Sequence, residues 1–146
     1  MKTVWKLQLV QRAAARLLTG VGYREHTTPL LKQLHWHPVC FRMQFKVLVI
    51  TYKALYGSGP GFVKGCILPY EPTHALRSSG EAFLSVPTTF QACLMGTWER
   101  AFLVAAPRLW NSLPREARLA PSALEFQRQS KTFLFQQAFG TTLDLC

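Results

Sequence analysis

The stretch LHWHPVCFRMQFKVLVITYKALY, residues 34–56, carries the strongest helical pattern in the chain. Pro38 suits the first position of a helix, because its missing N–H group costs nothing there. We therefore predict a helix over residues 39–56. At 100° per residue, its apolar residues form two lines, a pattern that indicates packing against two neighbours. These lines are Phe41, Phe45, Leu48, Tyr52 and Leu55, and Met43, Val47, Ile50 and Ala54.

Three cations of the same helix, Arg42, Lys46 and Lys53, fall together between the two apolar lines. One interpretation is a surface that contacts a polyanion. The other is a core helix whose solvated strip happens to be Lys and Arg, which is common on exposed helix faces.

The charge of the chain is unevenly distributed. The formal net charge of the 146 residues is +10. Residues 1–70 hold ten Lys/Arg and one acid, Glu25, whereas residues 71–146 hold seven Lys/Arg and six acids. The front half, at +9, therefore carries nearly all the excess. A surface of this sign attracts nucleic acid or an anionic membrane, and charge alone does not distinguish the two.

The remaining patterns predict a mainly α fold with a small β hairpin (α+β). We expect one unit with two lobes, a basic helical lobe over 1–67 and a mixed lobe over 68–146. We also expect the chain to be a fragment of a larger protein. The predicted elements are helices at 4–19, 29–34 and 123–139, short helical turns at 62–67 and 107–114, and strands at 82–86 and 100–105 that pair as the hairpin.

Two local patterns define the first and last helices. In the first, one face is apolar, with Gln8, Arg12 and Arg16 on the opposite side. That apolar face consists of Leu7, Val10, Ala14, Leu17 and Leu18. The last helix begins with a capping box, in which Ser122 caps and Glu125 reaches back.

The search for catalytic and metal-binding groups favours a non-enzyme. The chain has a single aspartate, Asp144, its six glutamates are scattered, and phosphate-binding and nucleophile-elbow motifs are absent from the sequence. We predict no catalytic residue, cofactor, metal site or small-molecule substrate. The alternative for metal is zinc at His35, His37 and Cys40, with Cys66 as the fourth ligand, but structural zinc sites usually show two spaced ligand pairs.

Targeting signals in the sequence are weak. Lys or Arg interrupts every apolar run, so we predict no transmembrane segment. The four cysteines form no CxxC pair, which is typical of reduced thiols inside the cell. We expect the nucleus or cytoplasm, with the basic amphipathic start leaving mitochondrial targeting as an alternative.

Aromatic residues among the cations have two interpretations, stacking with bases or packing in the core. We expect Trp36, Tyr52 and Trp110 in the core, because Tyr52 shares an apolar line and both tryptophans sit beside prolines. For Trp5, the sequence does not decide between base stacking and core packing.

Three segments carry a family resemblance: LQLVQRAAARLLTG (7–20), HTTPLLKQLHWHPVCFRMQFKVLVITYKALYG (26–57) and RAFLVAAPRLWNSLP (100–114). They closely resemble, in the same order, the C-terminal region of the endonuclease–reverse transcriptase polyprotein of LINE-type non-LTR retrotransposons, of the chicken-repeat and jockey-like kind. The segments at 76–87 and 121–139 fit that region in position and character.

The resemblance implies a region that follows the polymerase palm. The catalytic Asp-Asp motif of the palm and the endonuclease are absent from this sequence, so the enzymatic activities of the family do not transfer. The family tail helps to grip template RNA and target DNA. The basic residues that match its segments, and would bind nucleic acid without sequence preference, are Arg12, Arg16, Arg42, Lys46 and Lys53. At His37, Cys40, Trp98 and Glu99 this sequence departs from the residues usual in the family. Such changes are expected of a retrotransposon copy that has lost its original function.

We therefore expect a non-catalytic, retrotransposon-derived fragment that binds RNA or DNA electrostatically, in an oligomeric state that the sequence leaves open. The alternatives are an orphan translated remnant with no selected activity, and a small mitochondrial or membrane-surface protein that uses its amphipathic start.

Overall fold

A computed structural model of the chain describes residues 2–57, 59, 61–71, 81–88 and 97–140. Within these residues the protein is mainly helical, as predicted. The seven described helices are α1 (Lys2–Thr19), α2 (Thr27–Gln33), α3 (Val39–Leu55), α4 (Gly61–Gly65), α5 (Thr97–Asn111), α6 (Arg115–Arg118) and α7 (Ala123–Phe139).

Local sequence signals mark the ends of α1 and α3 and the start of α7. Gly20 and Gly57, with φ of +67° and +81°, follow α1 and α3 in the left-handed conformation that only glycine adopts without strain. At the start of α7, the Ser122 hydroxyl accepts a hydrogen bond from the Glu125 N–H at 3.2 Å. The other half of the predicted capping box, in which the Glu125 side chain reaches back to the start of the helix, is wrong. The Glu125 carboxylate instead accepts hydrogen bonds from Arg128.

The predicted hairpin is not observed among the described residues, and its second strand is wrong. Residues 100–105 belong to α5, while residues 81–88 form neither helix nor strand and make one isolated antiparallel bridge, between Leu84 and Pro69. Pro107 was expected to begin a new turn, but it lies inside α5. The helical period becomes visible only across this proline, where Leu103, Ala106, Pro107 and Trp110 are all buried.

The chain divides into two compact units. The first contains residues 1–44 and 132–146, and the second contains residues 45–131. The unit boundaries fall within α3 and within α7. The composition break near residue 68 lies inside the second unit, and the two lobes inferred from it stay a prediction.

The first unit has a small core in which Ala15 of α1 packs with Leu30 and Leu31 of α2. Partly buried residues that surround this core are Val21, Leu34, Trp36 and Phe139. Trp36 packs against the core as expected, although its side chain is only half-buried. Phe135 of α7 packs against the rings of His35 and His37, at centroid distances of 5.8 and 5.4 Å.

The second unit is built on stacked aromatic rings. Phe126 of α7 lies 4.4 Å from Tyr52 of α3 and 5.5 Å from Trp110 of α5, centroid to centroid. Tyr52 and Trp110 are buried, as predicted. The Tyr52 hydroxyl donates a hydrogen bond to the Ala120 carbonyl at 2.9 Å, which satisfies its polar end inside the core.

The two apolar lines of α3 are not equally buried. Leu48 and Tyr52 of the first line are inside, and Ala54 of the second is also buried. Met43 and Ile50 of the second line are exposed, so the prediction that α3 packs along two full faces is wrong in part. The helix has one well-packed side and one solvated side.

Three side chains of α5 and α6 hold the segment at 81–88. The Trp110 Nε1–H donates to the Ala82 carbonyl at 2.8 Å, and the Asn111 amide makes two hydrogen bonds to the backbone of Leu84. Arg118 is almost fully buried, and its guanidinium lies 3.2 Å from the Glu81 carboxylate. Buried polar groups of this kind are costly unless paired, so each of these contacts stabilises the fold.

Candidate nucleic-acid interface

The cations of α3 lie on its solvated side. The side chains of Arg42, Lys46 and Lys53 are exposed. Within the described part of the chain, no carboxylate or hydrogen-bond partner contacts any of the three. An exposed cation without a carboxylate partner keeps its full charge available to a phosphate, and its contact releases counterions from a nucleic acid.

Arg12 and Arg16 of α1 are in a different environment. Both are half-buried, and each guanidinium lies over an aromatic ring: Arg12 is 5.4 Å from the centroid of Trp5, and Arg16 is 5.1 Å from that of Tyr23. Arg16 also donates a hydrogen bond to the Glu25 carbonyl at 3.1 Å. These two arginines therefore form local contacts, and only part of each guanidinium is open to a ligand.

The aromatic partners of these arginines are themselves solvent-exposed. Trp5 is 55% exposed and Tyr23 is 87% exposed. Each ring has one face near a guanidinium, and cation–π pairing of this geometry contributes about 0.5–1 kcal/mol at exposed sites. An exposed ring beside a cation is also a surface on which an unpaired base can stack.

Helix α1 turns much of its apolar face to solvent. Ala15 and Gln11 are buried, whereas Val10, Leu17 and Leu18 of the apolar face are exposed. The polar side of α1 faces the protein because it satisfies backbone groups at the start of α3.

Two glutamines of α1 make the contacts that explain this orientation. The Gln8 side-chain oxygen accepts a hydrogen bond from the Val39 N–H at 2.8 Å, and the Gln11 amide donates to the His37 carbonyl at 2.8 Å. The first N–H groups of a helix have no partner within the helix, so Gln8 provides a cap for α3 from another helix. Neither glutamine was predicted to have this role.

The residues considered for metal binding have other neighbours. His35 and His37 contact the ring of Phe135. Among the described residues, no group of three His, Cys, Asp or Glu side chains lies close enough to hold a metal ion.

The most constrained polar residues that sequence reasoning missed are Asn111 and Arg118. Asn111 follows Trp110 in the segment RAFLVAAPRLWNSLP, and its side-chain amide pairs with a backbone as a strand would. Arg118 has its guanidinium 4.0 Å from the Phe83 ring centroid and donates to the Asn111 carbonyl at 3.2 Å. Arg118 is thus part of the core and is not a contact for a polyanion.

No model of a protein family, no curated protein and no solved structure matches this chain. Among the helices described above, none combines the length and the apolar character that crossing a membrane requires.

Proposed function

We propose that this chain is a non-catalytic fragment derived from the tail of a LINE-type retrotransposon reverse transcriptase, and that it binds RNA or DNA through charge. The observation that carries the proposal is the solvated side of α3, where Arg42, Lys46 and Lys53 are exposed and no carboxylate of the described residues neutralises them. The +9 charge of the front half supports the same conclusion, since it favours contact with any polyanion in the nucleus or cytoplasm.

Arg12 and Arg16 contribute to this binding in a second way. Their guanidinium groups lie beside the exposed rings of Trp5 and Tyr23. Stacking on such rings contributes about 1–3 kcal/mol per base and requires bases that are not paired. We therefore expect the protein to prefer single-stranded RNA or DNA over a duplex, with little dependence on base sequence.

The resemblance of residues 7–20, 26–57 and 100–114 supports the assignment to the retrotransposon tail. The resembling segments contain residues of two kinds. Trp110 and Asn111 hold the fold together, whereas Arg42, Lys46 and Lys53 make no such contribution in the described residues. A surface of cations that the fold does not need is expected of a segment that once bound nucleic acid.

The experiment is a titration of the purified chain with a fluorescent single-stranded RNA, a DNA strand of the same sequence and the corresponding duplexes, at low salt. We expect binding to all four, tightest to the single strands. Absence of binding at low salt would remove the proposal. A preference for one base sequence with salt-independent affinity would also contradict it, since a charge-driven contact has neither property.

A further inference from the structure

One side of α1 carries a row in which two arginines lie between two aromatic rings. Trp5, Arg12 and Arg16 follow one another at intervals of seven and four residues, so they share one line of the helix. Tyr23 comes after the helix in the chain, and its ring centroid lies 5.1 Å from the Arg16 guanidinium. The row therefore runs from Trp5 through the two arginines to Tyr23, and all four residues belong to the first unit.

Each ring of this row has one face near a guanidinium and a large part open to solvent. Arg12 lies 5.4 Å from the centroid of Trp5, a distance typical of cation–π pairs. The side chains of Trp5 and Tyr23 are more than half exposed. Bases stack on accessible rings of this kind whatever their sequence, because every base has a π-face.

The two arginines of the row are held in place and keep part of their hydrogen-bonding capacity. The Nε atoms of Arg12 and Arg16 are buried, whereas the side chains as a whole are half-buried. Arg16 donates to the Glu25 carbonyl through one terminal nitrogen. Neither guanidinium contacts a carboxylate of the described part of the chain. Because a guanidinium matches the geometry of a phosphate, the remaining terminal nitrogens can bind the phosphates that connect two stacked bases.

We propose that Trp5 and Tyr23 each stack one base of the same nucleic-acid strand and thereby select unpaired strands over duplexes. Arg12 and Arg16 contact the phosphates between these two bases. The helix rises about 1.5 Å per residue, so Trp5 and Arg16 are about 16 Å apart along α1. At the spacing of about 3.4 Å per nucleotide in a stacked strand, this length corresponds to about five nucleotides. The ligand is thus a short run of unpaired nucleotides that spans the row.

This inference rests on the proposed function, because it takes nucleic acid as the ligand, but it uses a different contact. The cations of α3 attract the phosphates of single strands and duplexes alike. The rings beside α1 distinguish the two, because the bases of a duplex remain stacked on each other and are not available to a side chain. Selectivity for single strands therefore depends on the two rings, whereas α3 supplies affinity for either form.

The test measures binding of the full chain to three probes: a short single-stranded DNA, an abasic strand of the same length, and the duplex of the first strand with its complement. The abasic strand keeps every phosphate and lacks every base, so it removes stacking without changing the charge. We expect the abasic strand to bind about tenfold or more weakly than the normal strand, since each stacked base contributes about 1–3 kcal/mol. Equal affinity for the two strands would overturn the proposal.

Two variants assign the stacking to the two rings. Trp5→Ala with Tyr23→Ala should weaken binding of the single strand about tenfold or more and change binding of the abasic strand by less than about threefold. Trp5→Phe with Tyr23→Phe keeps both rings and should retain most of the affinity. An alanine variant that binds the single strand as well as the unmodified chain does would overturn the proposal. An equal loss for the normal and abasic strands would also overturn it, because the rings would then act only by positioning the arginines.

A matched control removes two exposed rings from another part of the chain. Phe62→Ala with Tyr70→Ala should bind the single strand within about threefold of the unmodified chain, because neither ring belongs to the row beside α1. All of these substitutions are at exposed positions, so retained helicity in far-UV circular dichroism is expected of each variant. A loss in this control as large as that of the Trp5 and Tyr23 variant would contradict stacking on the row.

The ratio of single-strand to duplex affinity separates this inference from the proposed function. Replacing Arg42, Lys46 and Lys53 by Gln should weaken binding of both forms and leave the ratio nearly unchanged. Replacing both rings by Ala should bring the ratio close to one and leave the salt dependence unchanged, because no charge is altered. If the ring variant keeps the ratio while the chain still binds through α3, this inference fails and the proposed function stands. If the chain binds no nucleic acid at low salt, both fail.

Discussion

The side chain of Asn111 forms two hydrogen bonds with the backbone of Leu84. Its Oδ1 accepts from the Leu84 N–H at 2.9 Å, and its Nδ2 donates to the Leu84 carbonyl at 2.8 Å. Leu84 is buried, so neither backbone group has water as a substitute. One amide thus replaces a neighbouring strand for the segment at 81–88.

Replacing Asn111 by Ala should lower the free energy of unfolding by about 2–4 kcal/mol. Two buried backbone groups lose their partners, and each unsatisfied group costs about 1–3 kcal/mol. Urea denaturation followed by circular dichroism measures the change. Ser112→Ala is the control, because Ser112 is exposed and should change stability by less than about 0.5 kcal/mol. Equal stability of the two variants would show that the amide contributes nothing to holding this segment.

Arg118 and Arg115 belong to the same short helix but should respond very differently to truncation. Arg118→Ala leaves the Glu81 carboxylate without its cation and the Asn111 carbonyl without its donor, and it empties space beside Phe83. We expect a loss of about 2–4 kcal/mol, less than for a fully enclosed ion pair because Glu81 is one-third exposed.

Arg115→Ala is the matched control for this prediction, since Arg115 is exposed on the same helix. Its unfolding free energy should stay within about 0.5 kcal/mol of that of the unmodified chain. The denaturation midpoints of the two variants are measured side by side. If Arg115→Ala and Arg118→Ala lower the midpoint equally, the role of Arg118 is refuted.

The Tyr52 hydroxyl makes stability depend on alkaline pH. Burial, and secondarily the nearby Tyr56 hydroxyl, raise the pKa of Tyr52 above its ordinary value. Because the folded pKa is the higher one, this contribution is fully present below about pH 10, the pKa in the unfolded chain, and is lost as the pH rises through the folded value.

Tyr52→Phe should remove this dependence and cost about 1 kcal/mol at neutral pH, because the hydrogen bond to the Ala120 carbonyl is lost. Unfolding free energies at pH 7, 10 and 11 measure both effects. Tyr70→Phe, at an exposed tyrosine, should keep the alkaline loss. If the loss between pH 10 and 11 is the same with Phe at position 52, another group causes it.

The parts of this fold that could be predicted are those whose signals are local. The last helix was predicted at 123–139 and lies at Ala123–Phe139, since Ser122 and Gly140 mark its ends in the sequence. The exposure of Arg42, Lys46 and Lys53 followed from the helical period alone.

The missed features depend on contacts between distant residues. The helical period identified the apolar side of α1, but the hydrogen bonds of Gln8 and Gln11 to residues 37–39, which turn that side to solvent, could not be predicted from it. A helical period shows which residues share a face and does not show which face meets the protein. In α5, Pro107 was interpreted as a boundary, although the helix continues through it.

The measurement that tests the central claim most directly is the salt dependence of single-stranded RNA binding. The affinity is determined over a series of salt concentrations for the unmodified chain and for a triple variant with Gln at Arg42, Lys46 and Lys53. A control triple variant carries Gln at Lys64, Arg108 and Arg115, which are exposed elsewhere in the chain and give the same change in charge.

If the α3 cations contact phosphates, the slope of log K against log salt should become shallower by about 2 in the α3 variant, since each single-strand phosphate contact contributes about 0.7. The control slope should stay close to that of the unmodified chain. Equal slopes in all three proteins, or an equal change in both variants, would contradict binding through α3.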